Sequence, residues 1–371
     1  MPWMENIKNV VVLVEENRLF DTFAGGLSYS HDIDGLLHTK YELVCARAIP
    51  KNVAPDDPNH GISGLNMEVL GTYHPDEEDV DEREEMETMM GFVTEQASTY
   101  KTVNLTRAAV AISYYAQDHI PVFATMAENF FSSTDGLRPS LARPAYLTSG
   151  TSHGHCRNDA SFNVAALPQR SIFQQLSEAG IEWINYHNST TDPMSNPPTG
   201  FNPDALFYTW TLTSGKWKTN IIQIRDFYSE GRQTSSGFMK GIYEALRGSP
   251  QWNETLLILT FDEHVGVSVG DGLTYTELSP DGKNMIFDFK RVDVRVPTLV
   301  ISPWVEKGMI EHKGKNNCKE YTHTSIAAFI AKLWGLDDLT PRTTWSSTFE
   351  HLITDKFRDD TPSTVSEPVS F

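Results

Sequence analysis

Cysteine is scarce in this chain: Cys45, Cys156 and Cys318 are the three in 371 residues. Three cannot all pair, and their spacing matches no zinc motif. Neither a disulfide framework nor a cysteine-rich metal site is expected. Long apolar runs are missing too; none approaches the ~18–20 residues that a membrane span needs. Positive charge is in deficit, because 30 Lys+Arg against 49 Asp+Glu leave a formal net charge of −19. Such a field repels nucleic acid and anionic membrane surfaces. Much of the excess lies between Asp76 and Glu87, which reads as a solvated face. No internal repeat and no Gly/Ser linker divides the chain. Little precedes the first strand-like run, which leaves no room for a signal peptide. The expected location is cytoplasmic, or secreted if a leader has been removed.

What is present is an ordinary balance for a packed core, with 39% apolar and 21% charged residues. Val10–Val14, Leu256–Phe261 and Val296–Ser302 are continuous apolar runs of strand length, as found in strands covered on both faces. Ile181–Tyr186 is a weaker fourth. Between them lie helical patterns. Ser171 and Gln174 have the spacing of a capping box, opening a helix that ends near Gly180. Phe238, Ile242 and Leu246 share one helix face, and Ile326, Phe329, Ile330 and Leu333 form another stripe, stopped at Gly335. This order predicts an α/β fold with a mostly parallel central sheet covered by helices, as one domain over 1–371. An irregular insertion is expected at about 31–102 and a loose tail at about 359–371.

In wound α/β folds, ligands bind at the carboxyl ends of strands. Val10–Val14 runs into Glu15-Glu16-Asn17, and Leu256–Phe261 runs into Asp262-Glu263-His264. Two strand ends carrying hard oxygen donors suit a divalent cation. Either acid cluster alone would read more readily as a loop or helix cap. The third element is Ser140, at a loop-to-helix turn; alone, a Ser there is usually an N-cap.

The motifs around these residues carry a resemblance. The opening Val11-Val-Leu-Val-Glu-Glu16-Asn17-Arg18-Leu19-Phe20-Asp21 and the later Leu257-Ile-Leu-Thr-Phe-Asp262-Glu263-His264 are similar to motifs of the phosphoesterase family of bacterial and fungal phospholipases C and acid phosphatases. So are Asp57-Pro-Asn-His60, the block from Arg295 to Gly308, and His323-Thr-Ser325. Tyr146-Leu-Thr-Ser-Gly-Thr151 matches the ending of the family's nucleophile segment, which sets Ser140 on the family's Ser/Thr nucleophile. The chain resembles a diverged, fungal-type member.

The resemblance implies an alkaline-phosphatase-like three-layer sandwich and a phosphoric ester hydrolase. It implies one divalent metal ion (Mg²⁺, Ca²⁺ or Mn²⁺, or Zn²⁺ if an imidazole joins) held by Glu16, Asn17, Asp262 and Glu263. Ser140 would be the nucleophile. His60 would act as a donor or proton shuttle, with His187 as a second imidazole. Arg143, His153, His155, His264 and His323 are candidate pocket residues. The expected partner is a small-molecule phosphate ester.

The chain also departs from the family. Gly231 and Gly270 stand where relatives carry histidines. Part of the proton machinery is therefore missing, and such groups contribute about 10²–10⁴ in rate. This keeps open a repurposed enzyme: a metal-assisted hydrolysis or elimination on a small biosynthetic intermediate, without phosphoryl transfer. A non-catalytic binding protein is disfavoured, because it would not need the full set.

Overall fold

The computed structural model describes residues 2–15, 19–35, 61–75, 90–137, 144–154, 167–187, 204–224, 235–262, 275–278, 281–287, 295–317 and 320–369. The strands are β1 (Asn9–Glu15), β2 (Phe131–Leu137), β3 (Asn185–His187), β4 (Ile221–Gln223), β5 (Thr255–Phe261), β6 (Tyr275–Leu278), β7 (Asn284–Phe287), β8 (Val296–Ile301) and β9 (Ile310–Glu311). The helices that matter below are α1 (Ile62–Leu70), α2 (Phe92–Thr99), α3 (Pro121–Asn129), α4 (Pro144–Ser149), α5 (Ile172–Glu178), α6 (Ser235–Gly248), α7 (Thr324–Trp334) and α8 (Pro341–Trp345).

A five-stranded sheet in the order β1-β5-β8-β2-β9 organises the chain. β1 and β5 are parallel, from Asn9 opposite Thr255 to Glu15 opposite Phe261. β8 is antiparallel to both β5 and β2, and β2 is parallel to β9. Only β8 therefore runs against the rest. Every residue of β5 and β8 is buried, as their unbroken apolar runs require. Truncating Leu257 or Leu259 to Ala would cost roughly 2–5 kcal/mol. β1 is less covered than its sequence suggests. It lies at an end of the sheet, and most of its residues are half-buried.

Side-chain alternation places helices on both faces. Phe261 contacts Phe23, which contacts Phe123 of α3. Phe131 lies level with Val300 and Ile258, on the opposite face from Phe261. It meets Tyr321, which stacks on Phe349, which in turn meets Phe329 of α7. The expected mostly parallel, helix-covered α/β sheet is what the chain builds.

The helix signals act as read. Ser171 caps α5 by accepting from the Gln174 N–H, although the Gln174 side chain turns to Glu178 and does not close the box. Gly335 ends α7 in the left-handed conformation at φ 65°.

Three expectations change. The stretch 31–102 is not simply irregular: α1 and α2 lie within it, and their buried residues include Leu65, Leu70 and Phe92. The expected strand 181–186 is reduced to β3, which pairs with β4 in a separate two-stranded sheet. The tail is not loose. α6 presents Lys240, Tyr243, Glu244 and Arg247 on one face. Lys240 Nζ donates to Val365 O at 2.7 Å, Tyr243 Oη to Pro362 O at 2.6 Å and Arg247 Nη2 to Thr361 O at 3.1 Å. Val365 itself is buried in the core. Backbone carbonyls satisfied by a helix hold this segment without regular structure of its own.

Candidate active site

Strand direction brings together the ends of the strands that precede the motif-bearing segments. β1, β5 and β2 run the same way, so their carboxyl ends lie at one edge of the sheet. The ends of β1 and β5 are joined directly, the Asp262 N–H donating to Glu15 O at 2.9 Å. Glu16-Asn17 and Glu263 continue the chain from these two residues. They lie outside the described residues, as do Ser140 and Arg143 beyond β2, His60, His155, His264, Gly231 and Gly270.

The amino end of β8 reaches the same edge, and there the structure joins two motifs that sequence reasoning quoted but gave no role. Arg295 grips Asp21 with two of its three guanidinium nitrogens, Nη2 to Oδ1 at 2.8 Å and Nε to Oδ2 at 3.2 Å. Its guanidinium lies 4.6 Å over the Phe20 ring, and the Phe20 N–H donates to Arg295 O. A bidentate, partly buried pair of this kind is a stiff clamp. It fixes the segment that follows Glu16-Asn17 to the strand beside β5. Opposite charges in the two motif blocks were the available signal.

α4, which follows the Ser140 segment, is anchored from several sides. Thr148 Oγ1 lies 2.5 Å from Tyr208 Oη, and the Arg342 guanidinium lies 4.6 Å over the Tyr146 ring. The Ser149-Gly150-Thr151 ending has a structural reason. Gly150 adopts φ 73°, and a Cβ there would come within 2.5 Å of Thr340 Oγ1.

The described histidines sit in different surroundings. His323 is 1% exposed at the start of α7, and its Nε2 lies 2.9 Å from Phe261 O, one residue before Asp262. Burial pushes its pKa down to about 4 against a smaller opposing effect of that hydrogen bond, so the ring is neutral. His187 ends β3, in the separate sheet, with its Nδ1 buried and unpartnered and its pKa lowered by burial. His153 is exposed in a left-handed turn at φ 53°, and its N–H bonds to Thr151 Oγ1.

Among the described residues, no group of three or more His, Cys, Asp or Glu forms a metal site. Of the expected donors, only Asp262 is described. The set itself, carboxylates and an amide oxygen issuing from two hydrogen-bonded strand ends, fits a hard divalent cation.

Comparison with known proteins decides the family. A model of the phosphoesterase family matches residues 7–236 and 232–337. The chain belongs to this family. It is 32% identical to non-specific phospholipase C6 of Arabidopsis thaliana, over 98% of this chain and 76% of that protein. It is 31% identical to non-specific phospholipase C5 of the same plant, over 98% and 77%. A solved protein of the alkaline phosphatase superfamily from Vibrio parahaemolyticus overlaps at 12% identity and a TM-score of 0.31, over 60% of this chain and 62% of that one. The phosphoesterase is a hydrolase acting on phosphoric esters. No helix among its described residues is long and apolar enough to cross a membrane.

Proposed function

We propose that this phosphoesterase hydrolyses phosphoric esters with Ser140 as nucleophile and one divalent metal ion held by Glu16, Asn17, Asp262 and Glu263. The observation that supports this reading is the common direction of β1, β5 and β2, whose carboxyl ends, directly before those residues in the sequence, lie at one edge of the sheet. A bound divalent ion would supply electrophilic stabilisation of the phosphoryl oxygens and lower the pKa of a nearby hydroxyl. The chain's residues do the rest. Ser140 Oγ attacks phosphorus in line, the bond from phosphorus to the alcohol oxygen breaks, and the alcohol leaves with a proton. Water then cleaves the phosphoseryl ester. His60 is the proposed proton shuttle, with His187 as the second imidazole. The names of the plant relatives make a phospholipid headgroup ester the first substrate to try.

The test is Ser140→Ala beside Asp262→Ala. The first should keep fold and metal but lose turnover by at least about 10³-fold. The second should lose the metal as well, by elemental analysis. Near-wild-type turnover of Ser140→Ala would hand attack to water and overturn the nucleophile assignment. A fully active, metal-free preparation would overturn the metal assignment.

A further inference from the structure

We propose that His323 is a positioning residue that holds Asp262, at the end of β5, in register, acting through the carbonyl of Phe261; this rests on the metal-dependent reading above. The Phe261 carbonyl can only accept, so His323 Nε2 carries the proton and Nδ1 the lone pair. The Asp262 N–H points toward β1, and successive residues of a strand point their backbone groups to opposite sides. The Phe261 carbonyl therefore points toward β8. The ladder between β5 and β8 ends at Leu259 opposite Leu299. His323 thus takes up a carbonyl that the ladder has left behind, directly before Asp262.

Two further observations give this bond a role beyond satisfying one acceptor. The ring is almost wholly buried and its Nδ1 has no hydrogen-bond partner. A plain structural donor at this point would not need a second polar nitrogen buried with it. α7 also packs against α4, the helix that follows the Ser140 segment. One helix therefore packs against the helix that follows the Ser140 segment and, through the residue before its first turn, reaches the end of β5. Groups that orient metal ligands from behind are worth on the order of 10–100-fold in metal affinity.

The experiment titrates Mn²⁺ calorimetrically into the full chain as wild type, His323→Met, His323→Gln and Asp262→Asn. Methionine fills the space without a donor, whereas the glutamine amide can still donate to the carbonyl. His323→Met is expected to bind Mn²⁺ about 10–100-fold more weakly, with an unchanged circular dichroism spectrum, and His323→Gln to recover most of the loss. Equal affinity in wild type and His323→Met, with Asp262→Asn weakened, overturns this proposal alone. No Mn²⁺ binding by the wild type overturns the metal reading, and this proposal with it. If His323→Met does not fold, ¹⁵N-histidine spectra of the unsubstituted protein carry the test. A neutral, Nε2-protonated ring whose signals move on saturation with Mg²⁺ supports the proposal; signals indifferent to saturating Mg²⁺ overturn it.

Discussion

Glu311 shows how a single buried carboxylate ties the far side of the sheet together. It lies in β9, and Tyr321 Oη at 2.9 Å, His351 Nε2 at 2.8 Å and Lys315 Nζ at 2.6 Å all converge on it. Burial opposes its ionisation, but the hydrogen bonds from His351 and Lys315, joined by that of Tyr321, outweigh burial and hold its pKa below the ordinary 4.5. Glu350, bonded to Lys332 and Thr348, is held low in the same way, again against burial. A carboxyl whose folded pKa is depressed stabilises the fold above its unfolded pKa. That contribution is lost as pH falls through the folded value. Stability is therefore expected to decline below about pH 4.5, and Glu311→Gln should flatten the decline while lowering stability near neutrality. Urea unfolding at a series of pH values measures both. A Glu311→Gln variant whose pH profile parallels the wild type would show that this cluster contributes nothing to acid sensitivity.

At the scale of elements, some features were legible and others were not. β5 and β8 could be read because a strand buried on both faces leaves an unbroken apolar run. The direction of β8 could not be read, since the same run suits a parallel or an antiparallel neighbour. That β1 and β5 end side by side could be read, because acids follow the two strongest strands. The clamp between Asp21 and Arg295 was not, because partners 274 positions apart leave no periodic trace. The C-terminal segment was misread for a related reason: its polar, Pro/Ser-rich composition is that of a loose tail, and most of its bonds to α6 use backbone groups, which carry no residue signature. The apolar stripe of α6 was visible, whereas its polar face was not recognised as a binding face. Ending the chain after Asp360 should accordingly destabilise it. Val365 leaves the core and several hydrogen bonds are lost, which together cost roughly 3 kcal/mol. Urea unfolding of the truncated chain measures this. An unchanged unfolding free energy would mean that the segment rests on the surface without contributing.

At the scale of the whole molecule, the charge of −19 constrains how a phospholipid-cleaving enzyme would meet its substrate. A field of that sign lowers the local concentration of anionic surfaces near the protein. It reaches about 30 Å at 0.01 M ionic strength and about 8 Å at 0.15 M. On vesicles of phosphatidylcholine alone, hydrolysis should therefore change little as inert salt is added. On vesicles in which part of the phosphatidylcholine is replaced by phosphatidylglycerol, hydrolysis should be slow at low salt and rise several-fold as repulsion is screened. The divalent metal must be held constant and saturating across the series, because it would otherwise bridge protein and lipid and imitate screening. Measuring initial rates on both vesicle types, with a soluble aryl phosphate as control, separates surface repulsion from any effect of salt on the chemistry. If salt instead slows hydrolysis on the anionic vesicles while leaving the soluble substrate unaffected, a local basic surface must override the net charge. The molecule would then approach membranes through a patch that its overall composition conceals.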